Sequence, residues 1–108
     1  MSETWVIHWA NKCEQGLRAI IGDQAACVRE IVAGDEFMAD EVVLIEVSDP
    51  DEGWAKYVPL EEIAREVASY EADNGGEITT PVRDFIEHYG GLAMARGLRV
   101  IDRTFSAA

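Results

Sequence analysis

The chain has 108 residues, 48% hydrophobic, 28% charged and 8% aromatic, which suits one ordinary domain and is too apolar for intrinsic disorder. Its 21 Asp and Glu against 9 Lys and Arg give a formal charge of -12, so unaided binding to nucleic acid or an anionic membrane is disfavoured and basic or neutral partners are expected. No apolar run of about 18 residues is present, and Met1 to Val6 include Glu3 without a basic stretch ahead of an apolar one, so neither a membrane span nor a secretory signal is read and the expected compartment is the cytoplasm.

Thr4 to Ala10 read TWVIHWA, where Trp5, Ile7 and Trp9 alternate with Val6, His8 and Ala10, the period of a strand with one heavy face turned inward. Asn11 followed by Glu14 has the spacing of a capping box, and Cys13, Leu17, Ile20, Ile21, Val28, Ile31 and Val32 then keep a 3.6-residue phase. A helix is therefore expected over Lys12 to Ala33. Gly16 and Gly22 stand against its continuity, since each costs roughly 1 kcal/mol relative to Ala inside a helix. The competing reading makes Gly16 to Ile21 a strand paired with the first and confines the helix to Gln24 to Ala33. Gly34 stops the helix in either case.

Glu41 to Ser48 read EVVLIEVS, with Val42 and Leu44 on one side and Val43, Ile45 and Val47 on the other, which predicts a central strand covered on both faces. The turn-rich SDPDEG, residues 48 to 53, leads into a returning hairpin strand over Trp54 to Val58. Pro59 suits a first helical turn, and Leu60, Ile63, Ala64 and Val67 form an amphipathic stripe that ends before Asn74-Gly75-Gly76. Thr80 before Pro81 starts another helix, in which Val82, Phe85, Ile86 and Tyr89 stay in phase with Leu92 and Ala93 across a bend at Gly90-Gly91. LRVIDRTF, Leu98 to Phe105, supplies a last edge strand. The expected architecture is a single α+β domain over residues 1 to 108: a three- or four-stranded antiparallel or mixed sheet with two or three amphipathic helices on one face.

The charge is unevenly placed. Asp35 to Glu77 hold 14 acids and two bases, Lys56 and Arg65, whereas the rest of the chain holds 7 of each. Asp35, Glu36, Asp40 and Glu41 precede the central strand, Asp49, Asp51 and Glu52 occupy its turn, and Glu62 and Glu66 follow on the helix. Gathered together, they form a surface able to attract a basic protein, with Trp54 as an aromatic anchor. The plainer reading gives Glu61 to Arg65, Glu61 and Glu62 to the helix dipole, Asp49 and Asp51 to the turn, and Trp54 to packing across the hairpin. Glu62 and Glu66, like charges one turn apart, are not explained that way.

Catalytic and metal signatures are missing. From Asp49 the glycine falls fifth and Leu60 twelfth, so the turn is not a calcium loop, and no phosphate-binding loop, nucleophile elbow or paired-histidine zinc helix occurs. Cys13 and Cys27 fit no redox or zinc spacing and are read as structural, as are His8 and His88 as structural or surface groups. Arg83, Arg96, Arg99 and Arg103 are largely balanced by Asp84, Glu87 and Asp102, which leaves no RNA-binding patch. No cofactor is expected. By size and charge alone the chain resembles the compact acidic proteins that neutralise nucleic-acid-handling machines: phage anti-defence proteins of the anti-CRISPR type, antitoxins and immunity proteins. The expected function is accordingly a non-enzymatic inhibitor that presents a phosphate-like carboxylate surface to a basic protein. The alternative is a structural or regulatory subunit that self-associates, as a homodimer, through an apolar sheet face or edge strand beneath a solubilising acidic coat.

Overall fold

A computed structural model describes residues 3 to 101. Strand β1 (Glu3–Ala10) turns back into β2 (Gln15–Gly22), followed by helix α1 (Gln24–Ala33), β3 (Val42–Asp49), β4 (Trp54–Tyr57), α2 (Leu60–Asp73), β5 (Glu77–Ile78), α3 (Thr80–Gly90) and β6 (Arg99–Val100). The four longer strands make an antiparallel sheet in the order β2-β1-β3-β4, with the three helices packed against it. The α+β expectation holds.

The long helix over Lys12 to Ala33 does not form; the competing strand-plus-helix reading is the one observed. Asn11 caps a hairpin turn instead of a helix, its Oδ1 accepting the Cys13 and Glu14 N–H groups at 2.8 and 2.9 Å. Asp23 is the true helix cap, accepting from the Ala26 N–H at 2.9 Å. Gly16 pairs with Trp9, and the indole lies over it so closely that a Cβ would sit 2.5 Å from Cζ2. Tertiary packing onto β1 thus explains the glycine that weakened the helical reading.

Trp5, Ile7 and Trp9 face the helices, opposite Val47, Ile45 and Val42 of β3, and Ile31, Ile63, Val67, Phe85 and Ile86 close the core over them. The expected face assignment of β3 fails at its start. Between His8 and Trp9 the register shifts, leaving Val43 as an extra residue, so Val42 turns inward with Ile45 and Val47. Leu44, Glu46 and Ser48 take the opposite face, and β3 is covered on one side only.

The last helix also departs from expectation. It ends at Gly90, because Gly91 adopts a left-handed φ of 94°, and a short 3-10 turn, Leu92–Ala95, leaves Leu92 exposed instead of in phase with the core. β6 does not extend the main sheet; it pairs in parallel with β5 as a separate two-stranded ribbon. The remainder of the expected Leu98 to Phe105 strand lies outside the described residues. No helix among those residues is long and apolar enough to cross a membrane.

Candidate functional site

β3 separates the acidic residues named from the sequence. Its eight residues span about 23 Å at ~3.3 Å per residue. Asp35, Glu36, Asp40 and Glu41 lie at its beginning, where Phe37 stacks on Trp9 and fixes the incoming loop. Asp49, Asp51 and Glu52 lie at its far end in the β3–β4 turn. Glu62 and Glu66 form a third set with Asp73, lining a groove of about 460 Å³ between α1 and α2 together with Gln24, Ser69 and Tyr70. The first two sets therefore stand at opposite ends of β3 where one continuous patch was expected, and Glu62 of the third also borders Val47 and Lys56.

Within those groups the side chains differ in how far they are occupied. Asp49 is buried, and its Oδ1 accepts the Asp51 and Glu52 N–H groups at 3.0 and 3.2 Å, so it holds the turn. Glu41 accepts from the Met38 N–H at 2.9 Å and from the Asn11 side chain at 3.0 Å. Burial raises the Asp40 carboxyl above the ordinary carboxylate range, and the neighbouring Asp84 and Glu41 push the same way against a lowering backbone hydrogen bond. Asp35, Glu36, Asp51, Glu52, Glu62 and Glu66 are exposed. None of these nine carboxylates is in an ion pair among the described residues; the cations instead pair with Glu30, Glu46, Glu61, Glu77, Asp84 and Glu87. Trp54 is partly exposed on β4, with the Lys56 ammonium 5.7 Å from its ring centroid, so one cation already sits over this ring.

The other side of the sheet is open. On β1 the residues alternating with the core are Thr4, Val6, His8 and Ala10; register places them beside Leu17, Ala19 and Ile21 of β2 and Leu44, Glu46 and Ser48 of β3. Tyr57 and Ala55 of β4 complete the face. Leu17 is 63% exposed, Ile21 76% and Tyr57 66%, and no described element covers them. At the centre His8 Nε2 lies 2.5 Å from Glu46 Oε1, a short hydrogen bond on an otherwise largely apolar surface. β2 is also an edge of the sheet, eight residues long and paired only on its β1 side.

Sequence reasoning named an apolar sheet face or edge strand only as an alternative and assigned no residues to it. Its signal was the alternation of Leu17, Ala19 and Ile21, which becomes visible only when β2 is read as a strand; the same aliphatic residues also fit a helical phase.

The remaining chemistry-bearing side chains are held structurally. Cys27 is buried, and burial, with Glu30 adding to it, pushes its thiol up to about 12, so it stays protonated at neutral pH. Cys13 is exposed in the β1–β2 turn, where it packs into no core, contrary to the structural role expected of it; both thiols are free. His88 lies edge-on to Tyr89 at 4.5 Å, and the Tyr89 hydroxyl donates to the Val42 carbonyl at 2.9 Å, tying α3 to β3. Among the described residues no group of three His, Cys, Asp or Glu is placed to hold a metal ion. Comparison with protein-family models, with curated proteins and with solved structures gave no match.

Proposed function

We propose that this protein is a non-enzymatic, self-associating subunit that joins a second copy through the exposed edge strand of its sheet, its acidic residues serving as a solubilising coat. The observation carrying this reading is the pair Leu17 and Ile21, the two most exposed aliphatic side chains of the sheet, on an eight-residue edge strand that no described element covers. Exposed apolar area rimmed by polar groups is characteristic of contact surfaces, and long edge strands with exposed aliphatic side chains are usually guarded when a protein stays monomeric. The dispersal of the acids fits a coat that keeps the free chain soluble. Sedimentation across salt concentrations tests the reading. A dimer that persists at high salt is expected, because apolar contact is not screened; a monomer at every salt and concentration overturns it.

A second reading is favoured by one observation, that the nine acidic side chains singled out from the sequence lack ion-pair partners within the described fold. Unpaired carboxylates such as Glu62 and Glu66 suit docking on a basic protein, as an inhibitor of a nucleic-acid-handling machine would. Retention of a basic protein that is abolished by Glu62→Lys with Glu66→Lys, and weakened by salt, is the expected result. Retention indifferent to both overturns this reading.

A further inference from the structure

We infer that two copies of the chain pair through β2, antiparallel across a two-fold axis at Ala19, to make one continuous sheet of eight strands, twice the four described. This inference rests on the self-association reading and specifies its geometry.

The hydrogen-bond phase of the hairpin identifies the groups on offer. The Asn11 N–H donates to the Glu14 carbonyl at 2.9 Å, closing the turn. Counting outward in antiparallel alternation, Gly16, Arg18, Ile20 and Gly22 spend their backbone groups on β1, while Leu17, Ala19 and Ile21 direct theirs toward the free edge. None of those three carries a charge, no proline blunts the strand, and its one charged residue, Arg18, lies on the helix side and is paired with Glu30 at 2.9 Å.

A second copy of this chain is the occupant, because a two-fold pairing sets the exposed Leu17 against the exposed Ile21 twice and local charge does not oppose it. Residues 11 to 34 contain three acids, Glu14, Asp23 and Glu30, and three bases, Lys12, Arg18 and Arg29, so this stretch is neutral. The imbalance of the chain lies wholly in Asp35 to Glu77. Two molecules of charge -12 can therefore meet at β2 without bringing their acidic middle segments together by sequence.

Side-chain faces then fix the register. Opposed residues must share a face of the joined sheet, which puts the axis on a residue, and the two nearest the middle of β2 are Arg18 and Ala19. Centring on Arg18 sets two guanidinium groups directly opposite each other, an unfavourable like-charge pair. Centring on Ala19 instead places Leu17 opposite Ile21 of the second copy, twice, and forms about six backbone hydrogen bonds. Stacking of the open faces is the rival geometry, but it takes the polar His8–Glu46 contact out of water, whereas edge pairing leaves that contact in solvent.

Disulfide trapping tests the register in the full chain carrying Cys13→Ser, which removes the exposed thiol. Hydrogen-bonded antiparallel partners have Cα atoms about 5.5 Å apart, inside the range a disulfide spans. Ala19→Cys should therefore oxidise to a covalent dimer with copper phenanthroline. Leu17→Cys alone should not, since its own copy lies about 14 Å away at ~3.3 Å per residue. A mixture of Leu17→Cys with Ile21→Cys should cross-link. If the chain sediments as a dimer but neither Ala19→Cys nor the mixed pair cross-links, the β2 register is overturned while self-association stands. If Leu17→Cys cross-links alone, the Ala19 axis is likewise wrong. If the chain is monomeric, both fall together.

Discussion

Substitution of Gly16 by Ala separates the observed hairpin from the helix that the apolar spacing suggests, because the two assign the change opposite signs. In the fold, the added Cβ would fall 2.5 Å from Trp9 Cζ2 and 2.8 Å from Cε2. Carbon atoms in contact prefer separations of about 3.5–4.0 Å, so the indole has to retreat by roughly an ångström. It has little room, being 8% exposed and stacked on Phe37. Overpacking of this kind costs about 1–3 kcal/mol. In a continuous helix over Lys12 to Ala33 the same substitution would gain roughly 1 kcal/mol. Urea unfolding followed by tryptophan fluorescence and circular dichroism should give a lower midpoint for Gly16→Ala at unchanged slope. Thermal unfolding should fall by about 4–8 °C per kcal/mol lost. Trimming the partner, as Trp9→Leu, should remove most of the penalty in a double-mutant cycle. A Gly16→Ala chain as stable as its parent, or more so, refutes the packing of Trp9 on β2.

Other perturbations test separate parts of the fold. Asp49→Ala strands the Asp51 and Glu52 N–H groups at the β3–β4 turn and should destabilise by about 1–2 kcal/mol, with Asp49→Asn milder because it keeps an acceptor; equal losses for both in urea titrations would contradict the capping role. In the native chain a thiol reagent should label one cysteine, the exposed Cys13, and reach Cys27 only in denaturant; two rapid equivalents without denaturant would contradict the burial of Cys27. Burial raises the Glu71 carboxyl above its unfolded value, so the folded chain holds that proton more tightly and stability falls as pH rises through the raised pKa. Glu71→Gln should therefore be more stable than its parent at neutral pH, with the difference closing in acid. Unfolding midpoints that differ by the same amount at both pH extremes would argue against a desolvated carboxylate.

Much of the secondary structure was legible where one periodicity stood alone. The alternation of Trp5, Ile7 and Trp9, the Leu60 to Val67 stripe and the Thr80-Pro81 start each specify an element that the fold contains within a residue or two. Legibility failed where one set of residues satisfies two periods. Leu17, Ile20 and Ile21 fit both a helix and a strand, and the choice rests on Trp9 needing a glycine beneath it. The candidate site was harder still, since carboxylates adjacent in sequence are carried to opposite ends of β3, and capping duties withdraw Asp49 and Glu41 from the surface they were expected to form.

Composition and local pattern by themselves determined a single small α+β domain with an acidic middle segment, because hydrophobic spacing and turn chemistry act over a few residues and are written directly in the chain. Only the tertiary structure decided which side of the sheet the helices leave bare, how the bulge at Val43 turns β3, and that the acids are carried to opposite ends of β3. Those outcomes depend on strand pairings across separations as long as that of Thr4 with Ser48, and on the fit of buried rings, which no local window encodes.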